Sequence, residues 1–546
     1  MVSTTGFAQK AAKEAPKNWH VLDTKETGFY GVSLDKAYAF LKARNAKSQT
    51  VVVAVMDSGI DTLHEDLKPI LWVNPKEIAG NGKDDDNNGY VDDVHGWNFI
   101  GGKDGTNINE NSSEAARIYH AYRSKYEGKE VYGLNAADQA EYDMWVKAKA
   151  EVMGDEKNKI DVVFFKRMNE KLVKADSIVQ KFMGKATYTG NELSAYQTQS
   201  TAEKKAKDEL LSFLKIYNKM GDPASGILSE FGEFVASEEK KEKEKTTPPR
   251  DWRGEIVKDD PENLNDRNYG NNDLMAGTPR HGTHCSGIIA AARNNDKGMD
   301  GIADNVRIMM VRVVPDGDEH DKDVANGIRY AVDNGAQVIN MSFGKALSPH
   351  KQWVDDAVRY AESKGVLLVH AAGNDNADMD VSSSFPIAVF NNGKKASNWI
   401  SVGASGDPTN GGLTASFSNY GKKEVDVFAP GVDIYSTVPG GNTYDKISGT
   451  SMAGPVVAGI AALIMEHFPT LSAKQVKFAI ERSTKPITDK VNKPGTEDMV
   501  PFNELSKTGG IVNAYEAVKL AATLKGEKKI TKDVMPKPKM VKTTKG

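Results

Sequence analysis

Residues 50–56 (TVVVAVM) form an unbroken apolar, β-branched run that stops at Asp57-Ser58-Gly59. The pattern predicts a strand buried on both faces of a parallel sheet, with an acid at its carboxyl end. The same arrangement recurs downstream. Residues 306–313 read as a strand, 323–334 as a helix closed by Gly335 and 337–343 as a strand; 353–364 read as a helix closed by Gly365, and 366–371 as a strand. Strands alternating with glycine-stopped helices predict an α/β domain with a doubly wound, mainly parallel sheet. Past Ser451, Met452, Val456, Val457, Ile460, Leu463 and Ile464 recur at helical spacing. Two C-terminal helices are signalled by Ser472 and Asn513, each followed three residues later by Gln475 or Glu516.

Between residues 110 and 245 the pattern changes. Tyr142, Trp145, Val146, Ala150 and Met153, then Phe164, Met168, Leu172, Ala175, Val179 and Phe182, then Leu210, Leu214 and Tyr217 repeat at helical spacing among many charges. This predicts an inserted α-helical subdomain, left through the charge run 238–245 and the pair Pro248-Pro249. The division is then 51–109 with 246–525 as the main domain and 110–245 as the insertion. Residues 1–50 read as an N-terminal segment, and 526–546 as a lysine-rich tail expected to be unstructured.

The net charge of -4 over 546 residues gives no basic footprint for nucleic acid. No uninterrupted apolar stretch is long enough to predict a transmembrane segment. Cys285 is the single cysteine, which excludes an intrachain disulfide and argues against a thiolate zinc site. Residues 2–9 read as the remnant of a secretory signal peptide, so export is expected.

Ser451 stands in Gly449-Thr450-Ser451-Met452-Ala453-Gly454-Pro455, where a glycine-rich turn enters the apolar helix. A helix start offers free N–H groups that stabilise developing negative charge, which makes Ser451 a candidate nucleophile. It needs a base and a group to orient that base. His281, in His281-Gly282-Thr283-His284 before the apolar run 288–292, and Asp57 supply those types. The chain order Asp, His, Ser differs from both the chymotrypsin and the α/β-hydrolase orders.

At Asp57-Ser58-Gly59-Ile60-Asp61, His281-Gly282-Thr283-His284 and Gly449–Pro455 the chain resembles the subtilisin-like serine peptidases. The resemblance covers about 50–109 and 246–520 and implies the subtilisin fold. It also implies a serine endopeptidase in which Ser451 attacks, His281 carries the proton and Asp57 orients it. By the same resemblance Asn374 and the Ser451 N–H form the oxyanion hole. Ser342, Phe343 and Gly344 bind an extended substrate strand, and Ala371, Ala372 and Gly373 wall the pocket before the cut. Phe385-Pro386 matches a family segment with a cis proline, although a trans bond is expected from the general preference. An adhesion or binding protein on a subtilisin scaffold is the alternative from another class. Protein or peptide substrates are the expected partners, and the insertion is a candidate for self-association or substrate gating.

Residues 84–93 (DDDNNGYVDD) place oxygen ligands at alternating positions with glycine at the sixth, like the first half of an EF-hand loop. His95 stands where that loop has its bidentate glutamate. A shortened structural calcium loop using Asp84, Asp86, Asn88, Tyr90, Asp92 and Asp93 is expected, against an acidic turn that binds nothing. Asp66 is a second calcium candidate by resemblance. His281 and His284 lack the glutamate of H-E-x-x-H, so they are not read as a zinc pair. Cys285 is read as a packed small side chain.

Overall fold

Because every position of the first apolar run is hydrophobic, its side chains fill two cores, one on each face of the sheet. In the computed structural model, Val51, Val53 and Val55 enter one core and Val52, Ala54 and Met56 the other, the two-residue alternation of a strand covered on both sides. The structure describes residues 15–129, 131–154, 160–217, 220–221, 223–408 and 411–528, without the side chain of Glu230. Residues 2–9, read as a signal remnant, lie outside this set.

The strands are β1 (Val51–Asp57), β2 (Gly96–Asn98), β3 (Val306–Arg312), β4 (Val338–Met341), β5 (Leu367–Ala371), β6 (Trp399–Ser405), β7 (Val427–Pro430), β8 (Ile434–Val438), β9 (Thr443–Ile447), β10 (Lys485–Pro486), β11 (Lys490–Asn492), β12 (Met499–Pro501) and β13 (Gly510–Ile511). Nine of them form one sheet in the order β10-β13-β7-β6-β5-β4-β1-β3-β2. Every pairing in it is parallel except β10 with β13. β1 has β3 on one side and β4 on the other, so the strand order reverses there. The crevice at the carboxyl end of such a reversal is where open α/β sheets hold their ligands. Asp57 is the last residue of β1.

Two short helices, α1 (Thr24–Thr27) and α2 (Leu34–Ala43), precede the sheet. Trp19, Phe29, Leu34, Ala37 and Leu41 join the same core as β1, so the described part of the N-terminal segment is built into this unit. Contacts divide the chain into one unit running to Glu114 and resuming at Asp251, and a second, Ala115–Arg250. The second unit contains α3 (Glu114–Tyr126, whose first residue belongs to the first unit), α4 (Ala136–Met153), α5 (Val162–Met183), α6 (Gly190–Ala195), α7 (Thr201–Ile216) and α8 (Ala224–Glu244). Leu172, Val179, Leu210, Leu214, Phe231 and Val235 are among its core residues. Asn135, Thr189 and Ser200 cap α4, α6 and α7 with their side chains.

The first unit continues with α9 (Arg280–Ala290), α10 (Asp321–Asp333), α11 (Lys351–Lys364), α12 (Thr450–His467), α13 (Ala473–Arg482) and α14 (Ala514–Ala521). Ser472 forms a full capping box with Gln475, and Asn513 accepts from the Glu516 N–H. The α12 helix is the one among the described residues long and apolar enough to cross a membrane. Its side chains are almost wholly buried in the sheet's core. Residues 527–528 are bonded to Gln475 and Thr470, so the unstructured tail expected from 526 does not begin there; residues from 529 lie outside the described set.

Candidate active site

Asp57, His281, Asn374 and Ser451 are each placed by the end of a regular element. Asp57 is buried at the end of β1, and its Oδ1 accepts the Ser58 N–H at 2.7 Å. His281 is the second residue of α9, whose start is marked by Pro279. A side chain at Gly282 would stand 2.2 Å from the Gly59 carbonyl oxygen and 3.0 Å from Asp57 Cβ. Only glycine lets α9 approach the strand end this closely. The result is a hydrogen bond from His281 Nδ1 to Asp57, 2.8 Å to Oδ1 and 3.0 Å to Oδ2.

Burial opposes charge on the His281 ring, but the Asp57 carboxylate outweighs it and holds the imidazole well above its ordinary 6.5. The side chain is 37% exposed, so solvent reaches the other edge. His284, one turn on, is the contrasting case. Burial drives it down to about 3, and its Nε2 donates to the Asp445 carbonyl at 3.1 Å. It is a neutral structural histidine.

Ser451 is the second residue of α12, after the N-cap Gly449, so its N–H is one of the helix's unpaired donors. Its hydroxyl donates to the Ser342 carbonyl at 3.2 Å, while the Ser342 hydroxyl donates to the Ser451 carbonyl at 2.9 Å. This exchange pulls Ser342 out of the ladder: β4 ends at Met341, two residues before the expected strand end. Catalytic hydrogen bonds are commonly completed only when substrate arrives. Rotation of the Ser451 side chain from Ser342 towards His281 is the motion required here. Cys285 lies between the two, its Sγ 3.9 Å from His281 Nδ1 and 3.4 Å from the Ser451 carbonyl oxygen. It is fully buried, and burial pushes its thiol up, which keeps it protonated and unreactive.

Asn374 follows β5 by three residues. Its Oδ1 accepts from the Thr450 N–H and the Thr450 hydroxyl, both at 2.9 Å, and Thr450 Oγ1 accepts the Gly373 N–H at 3.1 Å. With its carbonyl oxygen committed, Asn374 has its NH₂ to offer. A side chain at Gly449 would stand 3.6 Å from both Asn374 Nδ2 and the Ser451 nitrogen. The two donors therefore border one small space, which Gly449 leaves open. The sequence does not single out Thr450, although it sits inside the serine motif. Nor does it single out Asn419, which is buried, accepts the N–H groups of Asp375 and Ala377 and donates to the Ala372 carbonyl.

Ser342, Phe343 and Gly344 follow Met341, which pairs with His370 just before Ala371, Ala372 and Gly373, and His370 Nε2 donates to the Phe343 carbonyl at 2.9 Å. Burial holds His370 down at about 4, so that ring is neutral. An added side chain at Gly344 would meet Ser384 Oγ at 2.4 Å, which brings Ser384 to this segment. The Phe385–Pro386 bond is cis, not trans as expected. Phe385 is fixed in an antiparallel bridge with Lys345, and packing of this kind overrides the small trans preference of an X–Pro bond. Ser384 and Pro386 line a cavity of about 290 Å³ with His370 and Ala372.

In the acidic loop the carboxylates that converge are not all the expected ones. Glu77, Asp84 and Asp86 place carboxylate oxygens within 4.8 Å of one another. Glu77 Oε2 is buried without a hydrogen-bond partner among the described residues, while Oε1 accepts the Asp85 and Asp86 N–H groups. Three carboxylates converging on an orphaned oxygen fit a hard cation. Asn88 stays beside them, its N–H bonded to Asp84 and Asp86. Asp92 does not join: at φ 55° its carboxylate turns back to accept the Asn81 and Gly82 N–H groups. Asp93 is taken up by Asn74, Asn88 and Tyr330. The Tyr90 ring is buried against Trp97, Phe99 and Tyr330, so only its main chain faces the loop. Asp66, the second candidate, has its two oxygens bonded to Asn295 and Tyr444.

The Subtilase family model matches residues 48–504. The chain belongs to that family. It is a subtilisin-like serine peptidase, and the parallel sheet with its flanking helices is the subtilisin fold. A thermophilic serine proteinase of Bacillus sp. (strain AK1) is 41% identical over 239 residues, covering 44% of this chain and 52% of that protein. Thermitase of Thermoactinomyces vulgaris is 41% identical over the same length, covering 44% of this chain and 74% of that one. The matched stretch thus spans about half of the first relative and three quarters of the second. A solved protease structure from Pseudoalteromonas arctica is 31% identical, covers 44% of this chain and 70% of that one, and superposes with a TM-score of 0.36; the family assignment rests on sequence.

Proposed function

We propose that the chain cleaves internal peptide bonds of proteins with Ser451 as nucleophile, His281 as general base and then acid, and Asp57 as the group that orients His281. The observation that carries this is the 2.8 Å hydrogen bond from His281 Nδ1 to Asp57 beside a serine at a helix start. With Nδ1–H given to Asp57, Nε2 holds the lone pair that takes the Ser451 proton. The Ser451 oxygen adds to the scissile carbonyl, whose oxyanion is received by Asn374 Nδ2 and the Ser451 N–H. His281 returns the proton to the leaving amine. Water then repeats the sequence on the acyl-enzyme.

Ser342, Phe343 and Gly344 support recognition of an extended backbone, with Ala371, Ala372 and Gly373 on the other side of the pocket. Calcium is the proposed structural ion of Glu77, Asp84, Asp86 and Asn88. It supplies positive charge among three carboxylates and braces the loop. Export is proposed from the exported character of the family. In the 110–245 insertion, exposed Val163, Phe164, Val173 and Ile216 support a role in self-association or substrate gating. Profiling of cleavage sites in a proteome-derived peptide library tests the activity. Internal cuts that disappear in Ser451→Ala are expected, and a wild-type digest indistinguishable from that variant would overturn the reading.

A further inference from the structure

At the other end of the nucleophile helix, on the side of the sheet away from the catalytic crevice, Asp304, Glu466 and His467 converge. Their ligand atoms lie within 4.8 Å of one another. Glu466 and His467 are the last two residues of α12, and Asp304 stands just before β3. The Glu466 side chain is completely buried and that of His467 is 9% exposed, with His467 Nε2 4.0 Å from Glu466 Oε2. Glu466 Oε1 accepts the Asn305 N–H at 3.1 Å, but among the described residues Oε2 has no hydrogen-bond partner, and neither has either nitrogen of His467. Burial holds the His467 ring below its ordinary value, although Asp304 and the carbonyls of Ala46 and Lys47, which do not meet hydrogen-bond geometry, favour its charge.

Buried polar atoms are almost always satisfied, so three orphans around one acid pair call for an occupant. Arg293, whose charge reaches Glu466, is bonded to the Gly301 carbonyl at 2.5 Å and lies 3.9 Å from Asp300. We propose that Asp304, Glu466 and His467 bind a divalent transition-metal cation of the zinc class, tying the carboxyl end of α12 to the start of β3. An imidazole with two carboxylates suits such a borderline ion better than calcium, which takes oxygen ligands throughout. The negative end of the helix dipole adds to the attraction. Tetrahedral zinc with bonds of about 2.0–2.1 Å needs ligand atoms roughly 3.3 Å apart, so the three side chains, whose ligand atoms now lie within 4.8 Å, would draw together on binding. The competing occupant is a proton. Burial and the nearby Asp304 carboxylate push Glu466 up to about 9.

Zinc titration by calorimetry and thermal melting decides between them, on the full chain carrying Ser451→Ala to stop autolysis. Saturating calcium fills the acidic loop, and Cys285→Ser removes the thiol of the separate Asp57, His281 and Cys285 group. One zinc equivalent is expected to bind and raise the melting temperature. Losing a ligand should cost at least as much as losing an outer-shell partner, a factor of about 10–100 in affinity. His467→Ala should show that loss, and so should Glu466→Gln, which keeps the shape of the buried side chain should His467→Ala fold poorly. Zinc affinity and stabilisation unchanged in Glu466→Gln, or no zinc binding in the parent protein, would leave a proton as the occupant and overturn the proposal.

Discussion

The two units bury different things. Between residues 115 and 250 the buried side chains are apolar, and among the described residues there no polar or charged residue is buried as a whole. The subtilisin-like unit instead buries Asp57, Ser342, Asn419 and Thr450, and it commits them to hydrogen bonds between elements far apart in sequence. Apolar packing makes a unit stable; only buried, mutually bonded polar groups fix atoms well enough for chemistry. Reactivity therefore belongs to the first unit. The second contributes surface.

Breaking that distinction at its strongest point is the largest effect expected. Ser451→Ala should abolish peptide hydrolysis; in subtilisin, loss of the nucleophile lowers kcat by about 2 × 10⁶, and a similar fall in turnover is the expected readout. Asp57→Asn comes next, at about 10⁴ in kcat, because it reverses the tautomer of His281. The pH profile sharpens this. Asp57 raises His281, and the base acts only when neutral, so the acid limb of kcat/KM should lie above 6.5 and move down in Asp57→Asn. The same pair stabilises the folded chain fully below the unfolded histidine's value, and the contribution disappears as pH rises through the raised folded one.

Asn374→Ala should cost about 10²–10³ in kcat with KM little changed, a size taken from subtilisin itself. A larger change in KM than in kcat would move Asn374 from the oxyanion to the substrate. Chelation should lower the melting temperature. Calcium at a hundred times its Kd stabilises by about 2.7 kcal/mol, and Glu77→Gln should lose most of the difference. The smallest effect on catalysis is expected from Leu210→Ala. It removes about 2–5 kcal/mol of packing from the helical unit, seen in its thermal melting, with kcat/KM on a short peptide unchanged. A parallel loss of peptide hydrolysis would erase the contrast between the units.

Much of the molecule is legible in its sequence. The apolar run ending at Asp57, the glycine-stopped helices and the three motifs predict the sheet and the catalytic groups, because each rests on local periodicity or on contiguous residues. What stays hidden depends on approach between distant segments. Thr450 acquires its partner Asn374 only when α12 meets the end of β5. Ser384 reaches Gly344 through the turn at Phe385-Pro386. Glu77 lies seven residues ahead of Asp84, outside the spacing of the loop template, and the left-handed backbone at Asp92 turns away the acid that the template would use. Trp19 and Leu34 enter the sheet's core although 1–50 reads as a separate segment.

The role proposed for Ser451 is that of a nucleophile activated by His281 and Asp57. Its most direct test is labelling of the intact protein with a fluorophosphonate in calcium-containing buffer, with the modified residue located by mass spectrometry. One label per chain on Ser451 is predicted, lost in Ser451→Ala and slowed strongly in Asp57→Asn. No labelling of the wild-type protein, or a label on another residue that survives Ser451→Ala, would contradict it.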